Sequence, residues 1–227
     1  MEQQAPKHQQ IIPLHQPAFT LTKPSPLRLT DRQFVRFCLR YTLCENHALA
    51  LQTLRQQQGF NPNMLLYICW QSLLQHGRFK KAELSEILKQ ISDWRESVFR
   101  PLENILSDLQ KKNTATAKEL TQHINTELQQ ADIIEKCMFE DILLKHSSYP
   151  RSYEQQLQDI CHGVAVYARI LSARLTDDDI ELFVKLFQST LPDLCPKKVA
   201  KVTREKMQKV SADLSSGYAQ LPLMLVV

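Results

Sequence analysis

Cys44 and His47 stand three residues apart, a spacing at which a thiolate and an imidazole can share a zinc ion. A closed zinc site needs four ligands, and no second Cys-x-x-Cys or His-x-x-x-His pair completes one. Cys161 and His162 are neighbours. Adjacent side chains on a helix diverge by about 100°, so they cannot act on each other, and a buried thiol beside a surface imidazole is expected. Glu140 and Asp141 fall on the polar side of a predicted helix, while Asp177, Asp178 and Asp179 suit the positive end of another. Glu135 and Glu140 belong to no Glu-x-x-His pattern, so a di-iron bundle is unsupported. A Gly-x-Ser-x-Gly nucleophile elbow is missing. Gly59, Gly77, Gly163 and Gly217 build neither kind of glycine-rich phosphate loop. The prediction is no catalytic residue, no metal ligand and no cofactor. The rival enzyme reading places His47, Trp70 and Trp94 around a pocket beside the most apolar helix.

Residue types suited to binding are more evident. Lys197, Lys198, Lys201, Arg204, Lys206 and Lys209 are opposed only by Glu205 before Asp213. Three readings fit them: a solvated basic face, docking onto an acidic protein surface, or contact with nucleic acid or a membrane surface. Nucleic acid is disfavoured, because no stacking aromatics are interleaved with these cations. The tail Leu221, Pro222, Leu223, Met224, Leu225, Val226, Val227 would gain about 1.5–3 kcal/mol per large side chain on burial. It either folds back on its own helices or inserts into a partner as an extended segment. The N-terminal arm carries Ile11, Ile12, Leu14, Phe19, Leu21 and Leu27, which a purely solvated linker would not need. The candidate partner-binding residues are Ile11, Ile12, Leu14 and Phe19 of the arm, Lys197, Lys198, Lys201 and Arg204 of the last helix, and Leu221, Leu223, Met224, Leu225 and Val226 of the tail.

The elements that must position them are helices. Four glycines in 227 residues argue against a fold of many tight turns. Five of eleven prolines lie before residue 27, so residues 1–29 form an extended or irregular arm. Thr30 with Gln33 reads as a capping box before Phe34, Phe37, Cys38 and Tyr41. A helix over about 46–58 stops at Gly59; Asn61-Pro62 opens the most apolar helix, ended by Gly77. Residues 94–145 read as a helical hairpin, bent near Pro101. Its long arm carries the stripe Leu120, Ile124, Leu128, Ala131, Ile134, Met138, Ile142. After a boundary at 147–150, Ser152 and Thr176 cap two more helices, and Pro196 opens the last. The fold class is all-α: an arm (1–29), a multi-helix N-terminal domain with a long hairpin (30–146), a small C-terminal helical lobe (150–214) and an apolar tail (215–227).

Twenty-eight basic and twenty-four acidic residues give +4, no argument for nucleic acid by itself. No secretory h-region and no apolar run of about 20 residues is visible, so the expectation is a cytoplasmic chain without a membrane span and with free thiols.

Residues 34–144 resemble a proteobacterial family of uncharacterised all-helical proteins. The resemblance rests on Phe34-x-x-Phe37, Tyr41, Leu49-x-Leu51-Gln52, Gly59, Asn63-x-Leu65-Leu66, Trp70, Gly77-Arg78, Trp94-Arg95 and Pro101-Leu102. It implies a fold and no reaction. The chain departs from the pattern at Glu103, where a basic residue is expected after Pro-Leu. Length, Gln- and Lys-rich helices and the added arms make the whole chain similar to accessory subunits of the coupling complex in the Dot/Icm type IV secretion system. That similarity implies a non-enzymatic adaptor. Its partners would be the coupling ATPase and companion adaptors, with no small-molecule substrate, and recruitment to the inner membrane would run through those partners.

Overall fold

The computed structural model describes residues 29–142 and 149–218, with side chains through residue 212. Among the described residues the fold is all-α, as expected, with no strand. Ile11, Ile12, Leu14 and Phe19 of the arm, and Leu221, Leu223, Met224, Leu225 and Val226 of the tail, lie outside them.

Helix α1 (Gln33–Thr42) turns Phe34, Val35, Phe37, Cys38 and Tyr41 inward. Its N-cap is Arg32 and not Thr30, and no side chain of its own caps it. The cap comes from far along the chain: the Gln33 and Phe34 amides donate to the Glu140 carboxylate at 3.2 and 3.0 Å. A carboxylate at a helix N-terminus satisfies free donors and complements the dipole, and local spacing cannot foresee one from 107 residues away.

Helix α2 (Glu45–Gln58) buries Ala50, Leu51 and Leu54 and ends at Gly59, whose φ of 74° is the left-handed conformation that glycine adopts without Cβ strain. Asn61 caps α3 (Pro62–Leu73), its side chain accepting from the Asn63 and Met64 amides. Helix α3 buries residues on nearly every side, as a central helix must. It stops at Leu73, ahead of the expected Gly77. The left-handed residue nearest its end is Gln75, and Gly77 shapes the following loop.

Helix α4 (Lys81–Trp94) runs into a π-turn at Arg95–Phe99 and then into α5 (Arg100–Gln110). The bend expected near Pro101 takes this form. The Arg100 amide reaches back to the Arg95 carbonyl, and the widened turn precedes Pro101, whose ring would clash with the Ser97 carbonyl in a regular helix. Helix α6 (Ala115–Asp141) returns antiparallel to α5. The expected stripe holds only in part. Leu120 is exposed and Ile124 and Leu128 are half-buried, so the stripe is only partly covered in the outer half of the hairpin. Burial is concentrated at Ala131, Glu135, Lys136, Cys137 and Phe139.

Ser152 and Thr176 cap α7 (Tyr153–Leu171) and α8 (Asp177–Thr190) through capping boxes with Gln155 and Asp179. Asp179 does more than complement a dipole: it is fully buried and also accepts from Gln58 at 2.8 Å. Helix α9 (Pro196–Tyr218) packs on α7 and α8, with Val199, Thr203, Met207 and Val210 inward. Helix α7 crosses α3, where Gly163 faces Ile68. One apolar cluster therefore runs from Phe34 in α1 to Val210 in α9, across the division at 147–150. Two aromatic groups anchor it: Phe34, Tyr67, Trp70 and Phe139 on one side, and Phe60, Tyr167, Phe183 and Phe187 on the other.

Candidate functional site

Helix α5 is amphipathic, yet none of its residues is buried. Leu102, Leu106 and Leu109 are half-covered by α6, and Ile105 is exposed. At the root of the hairpin an open groove of about 490 Å³ is lined by Trp94, Val98, Pro101, Leu102, Ala131 and Ile134, together with the polar Ser97, Glu127 and Gln130. The Trp94 Nε1 is buried with no hydrogen-bond partner, an arrangement that native proteins rarely leave without a reason.

A buried polar network holds this root. The fully buried Glu135 carboxylate accepts from Arg95 Nη1 at 2.9 and 3.2 Å and from Asn61 Nδ2 at 2.6 Å. Asn63 Nδ2 donates to Asp132 at 2.9 Å, and the Tyr167 hydroxyl accepts from the Asn61 amide at 2.9 Å. The Arg95 guanidinium also lies 5.0 Å over the Phe99 ring. Asn63, Trp94 and Arg95 of the sequence pattern thus meet at one place, and what Asn63 and Arg95 do there is structural. Glu103, the departure from the pattern, pairs with Arg55.

The second concave region lies between α7 and α9. Arg78, His162, Arg169, Lys206 and Lys209 wall a cavity of about 290 Å³, floored by Cys161, Ala165 and Val210. On α7, Gln158, His162, Ala165 and Arg169 recur at steps of three and four and so share one face. Arg78 donates to Asp159 at 3.1 Å, and Arg151 takes the other Asp159 oxygen at 2.8 Å. Burial and the nearby Arg78 and Arg169 charges push the His162 imidazole below its usual pKa, partly offset by a hydrogen bond to the Phe79 backbone and by Asp159. Burial pushes the Cys161 thiol up to about 12, so it is inert at neutral pH.

The predicted basic face divides on the structure. Lys198 pairs with Glu154, and Arg204 makes a forked pair with Glu181 at 2.5 and 2.8 Å. Lys197 and Lys201 remain on the exposed side. Sequence reasoning missed Arg78, His162 and Arg169 as companions of Lys206 and Lys209. The seven-residue step from His162 to Arg169 is a signal of a shared helix face, but only the packing of α9 shows what that face meets.

His47 and Trp94 do not converge. His47 accepts or donates a 2.6 Å bond with Ser189 Oγ and lies beside Tyr41, in a small cavity shared with Arg40, Leu73 and Thr190. The Ser189 hydroxyl also donates to the Lys185 carbonyl at 3.2 Å. Trp70 packs on Phe34 and Tyr67. Among the described residues no three His, Cys, Asp or Glu side chains gather as metal ligands, and no helix is long and apolar enough to cross a membrane.

Residues 33–138 match a family described as a protein of unknown function, DUF2390. That segment runs from the start of α1 almost to the end of α6 and contains the hairpin and most of the Glu135 network. Neither the curated proteins nor the solved structures gave a match.

Proposed function

We propose that the chain is a non-enzymatic adaptor that docks other protein subunits along the α5–α6 hairpin. The observation that carries this reading is α5 itself, an amphipathic helix that buries none of its residues beside an open, mostly apolar groove. Contiguous apolar surface of this kind marks interaction sites in soluble proteins, and a helical hairpin offers leucines and isoleucines at the spacing that helix-in-groove recognition uses. The polar network around Glu135 fixes the root of the hairpin, so the groove is formed before a partner arrives. In its finer form the reading follows the resemblance of the whole chain to DotY. The partners are then the coupling ATPase of the Dot/Icm type IV secretion system and its companion adaptors, which recruit effectors for export. The chain would sit at the cytoplasmic face of the inner membrane through those partners.

The test is to mix the purified full chain with candidate coupling-complex subunits and follow co-elution at micromolar concentration. Co-elution that Ile105→Asp abolishes, with thermal stability unchanged, is the expected result. No co-elution of the unsubstituted chain, or co-elution indifferent to Ile105→Asp and Leu102→Asp, counts against the hairpin as the docking surface.

A further inference from the structure

We propose that the cleft between α7 and α9 binds a small, soluble phosphorylated anion carrying two or more negative charges. The inference is independent of the hairpin reading and concerns the opposite end of the sequence. Its first ground is charge. Arg78, Arg169, Lys206 and Lys209 wall one cavity with His162. Asp159, the carboxylate beside Arg78, is buried and already divided between Arg78 and Arg151. Among the described residues Lys206 and Lys209 pair with no carboxylate, whereas Lys198 and Arg204 on the same helix do. Nearby charges of one sign disfavour one another unless an opposite charge is supplied. A single carboxylate would neutralise one of these cations; a diphosphate neutralises two or more and offers enough oxygens to meet both a planar guanidinium and two ammonium groups.

The second ground is shape. The cavity is concave, about 290 Å³, with Cys161, Ala165 and Val210 as a partly apolar floor. That is close to the lower end of small-molecule sites, about 300 Å³, and suits one phosphorylated head with a small organic body. A lipid surface or a nucleic-acid strand would be met by an open basic track instead. The third ground is His162 in the same wall, whose imidazole is pushed toward its neutral form by burial and by the Arg78 and Arg169 charges. A bound phosphate reverses that balance and lets the imidazolium donate to it, so it is a fifth contact available only when the ligand is present.

Titration of the full chain with inorganic pyrophosphate, followed by isothermal calorimetry at low ionic strength, tests the site. One site per chain with micromolar affinity is expected, weakened at least tenfold in Lys206→Gln/Lys209→Gln. The control is Lys197→Gln/Lys201→Gln. These lysines lie about 140–180° around α9 from Lys206 at 100° per residue, and the substitutions should leave affinity within twofold. All four lysines are exposed, and an unchanged melting temperature confirms that each variant folds. Absence of saturable binding to millimolar pyrophosphate overturns the proposal, as does equal weakening by both variant pairs, which would mean diffuse attraction. Citrate binding as tightly as pyrophosphate removes phosphate as the recognised group. Co-sedimentation with phosphatidic acid vesicles that pyrophosphate cannot compete away moves the surface to a membrane and overturns the soluble ligand.

Discussion

A Cβ placed on Gly163 would lie 2.6 Å from Ile68 Cγ2 and 3.4 Å from Phe79 Cδ2. Alanine normally gains about 0.5–1 kcal/mol over glycine inside a helix. Overpacking typically costs about 1–3 kcal/mol, and the opposing methyl is branched at Cβ and cannot swing aside. Gly163→Ala is therefore expected to lower stability by about 1–2 kcal/mol in denaturant unfolding. Combining it with Ile68→Ala, which removes that methyl, should cost less than the two single losses added; strict additivity would mean that the α3–α7 contact is not the cause. The position of this glycine inside a helix was legible from periodicity alone, since Ile160, Cys161 and Val164 flank it. The identity of the atom it makes room for was not, because Ile68 lies 95 residues away. The same holds for the cap on α1. A residue pattern reports local partners well, and Asn61, Ser152 and Thr176 were readable for that reason. It reports nothing about Glu140 reaching across from α6.

Helices were legible wherever one face meets the core, and misread where it does not. The α6 stripe from Leu120 to Leu128 has the period of a buried face, but period shows only that residues share a face and not that anything covers it. The network at Glu135 was invisible for the converse reason: an acid on an inward face breaks the apolar pattern that defines such a face. Its removal has a clear expected cost. Glu135→Leu leaves Arg95 half-buried without its carboxylate and takes an acceptor from Asn61, so unfolding stability should fall by about 3–5 kcal/mol. Glu135→Gln keeps the acceptor and should cost less. Equal losses for both variants would show that packing volume, and not the Arg95 and Asn61 hydrogen bonds, is what matters at this position.

Over the whole molecule, three of the four buried thiols report on how far cooperativity extends. Cys38 in α1, Cys69 in α3 and Cys161 in α7 belong to the same apolar cluster, and burial raises each thiol well above the usual value, Cys69 and Cys161 to about 12. Native chain at pH 8 should be alkylated at the exposed Cys195 and spare these three. In rising urea all three should become reactive at one midpoint, because a single core joins the helices before and after residue 148. A separate, lower midpoint for Cys161 would show that α7–α9 open on their own. Composition already pointed to an all-α chain through its scarce glycines and clustered prolines. The apolar core is continuous across the division drawn at 147–150. The Glu140 cap, joined by the pairing of Arg32 with Glu140 and Asp141, has one more consequence. It brings the start of α1 and the end of α6 to a single corner, so the segment between them is a loop closed on itself. Fraying of the first turn of α1 and of the last turn of α6 is therefore one event, since each end holds the other's free groups.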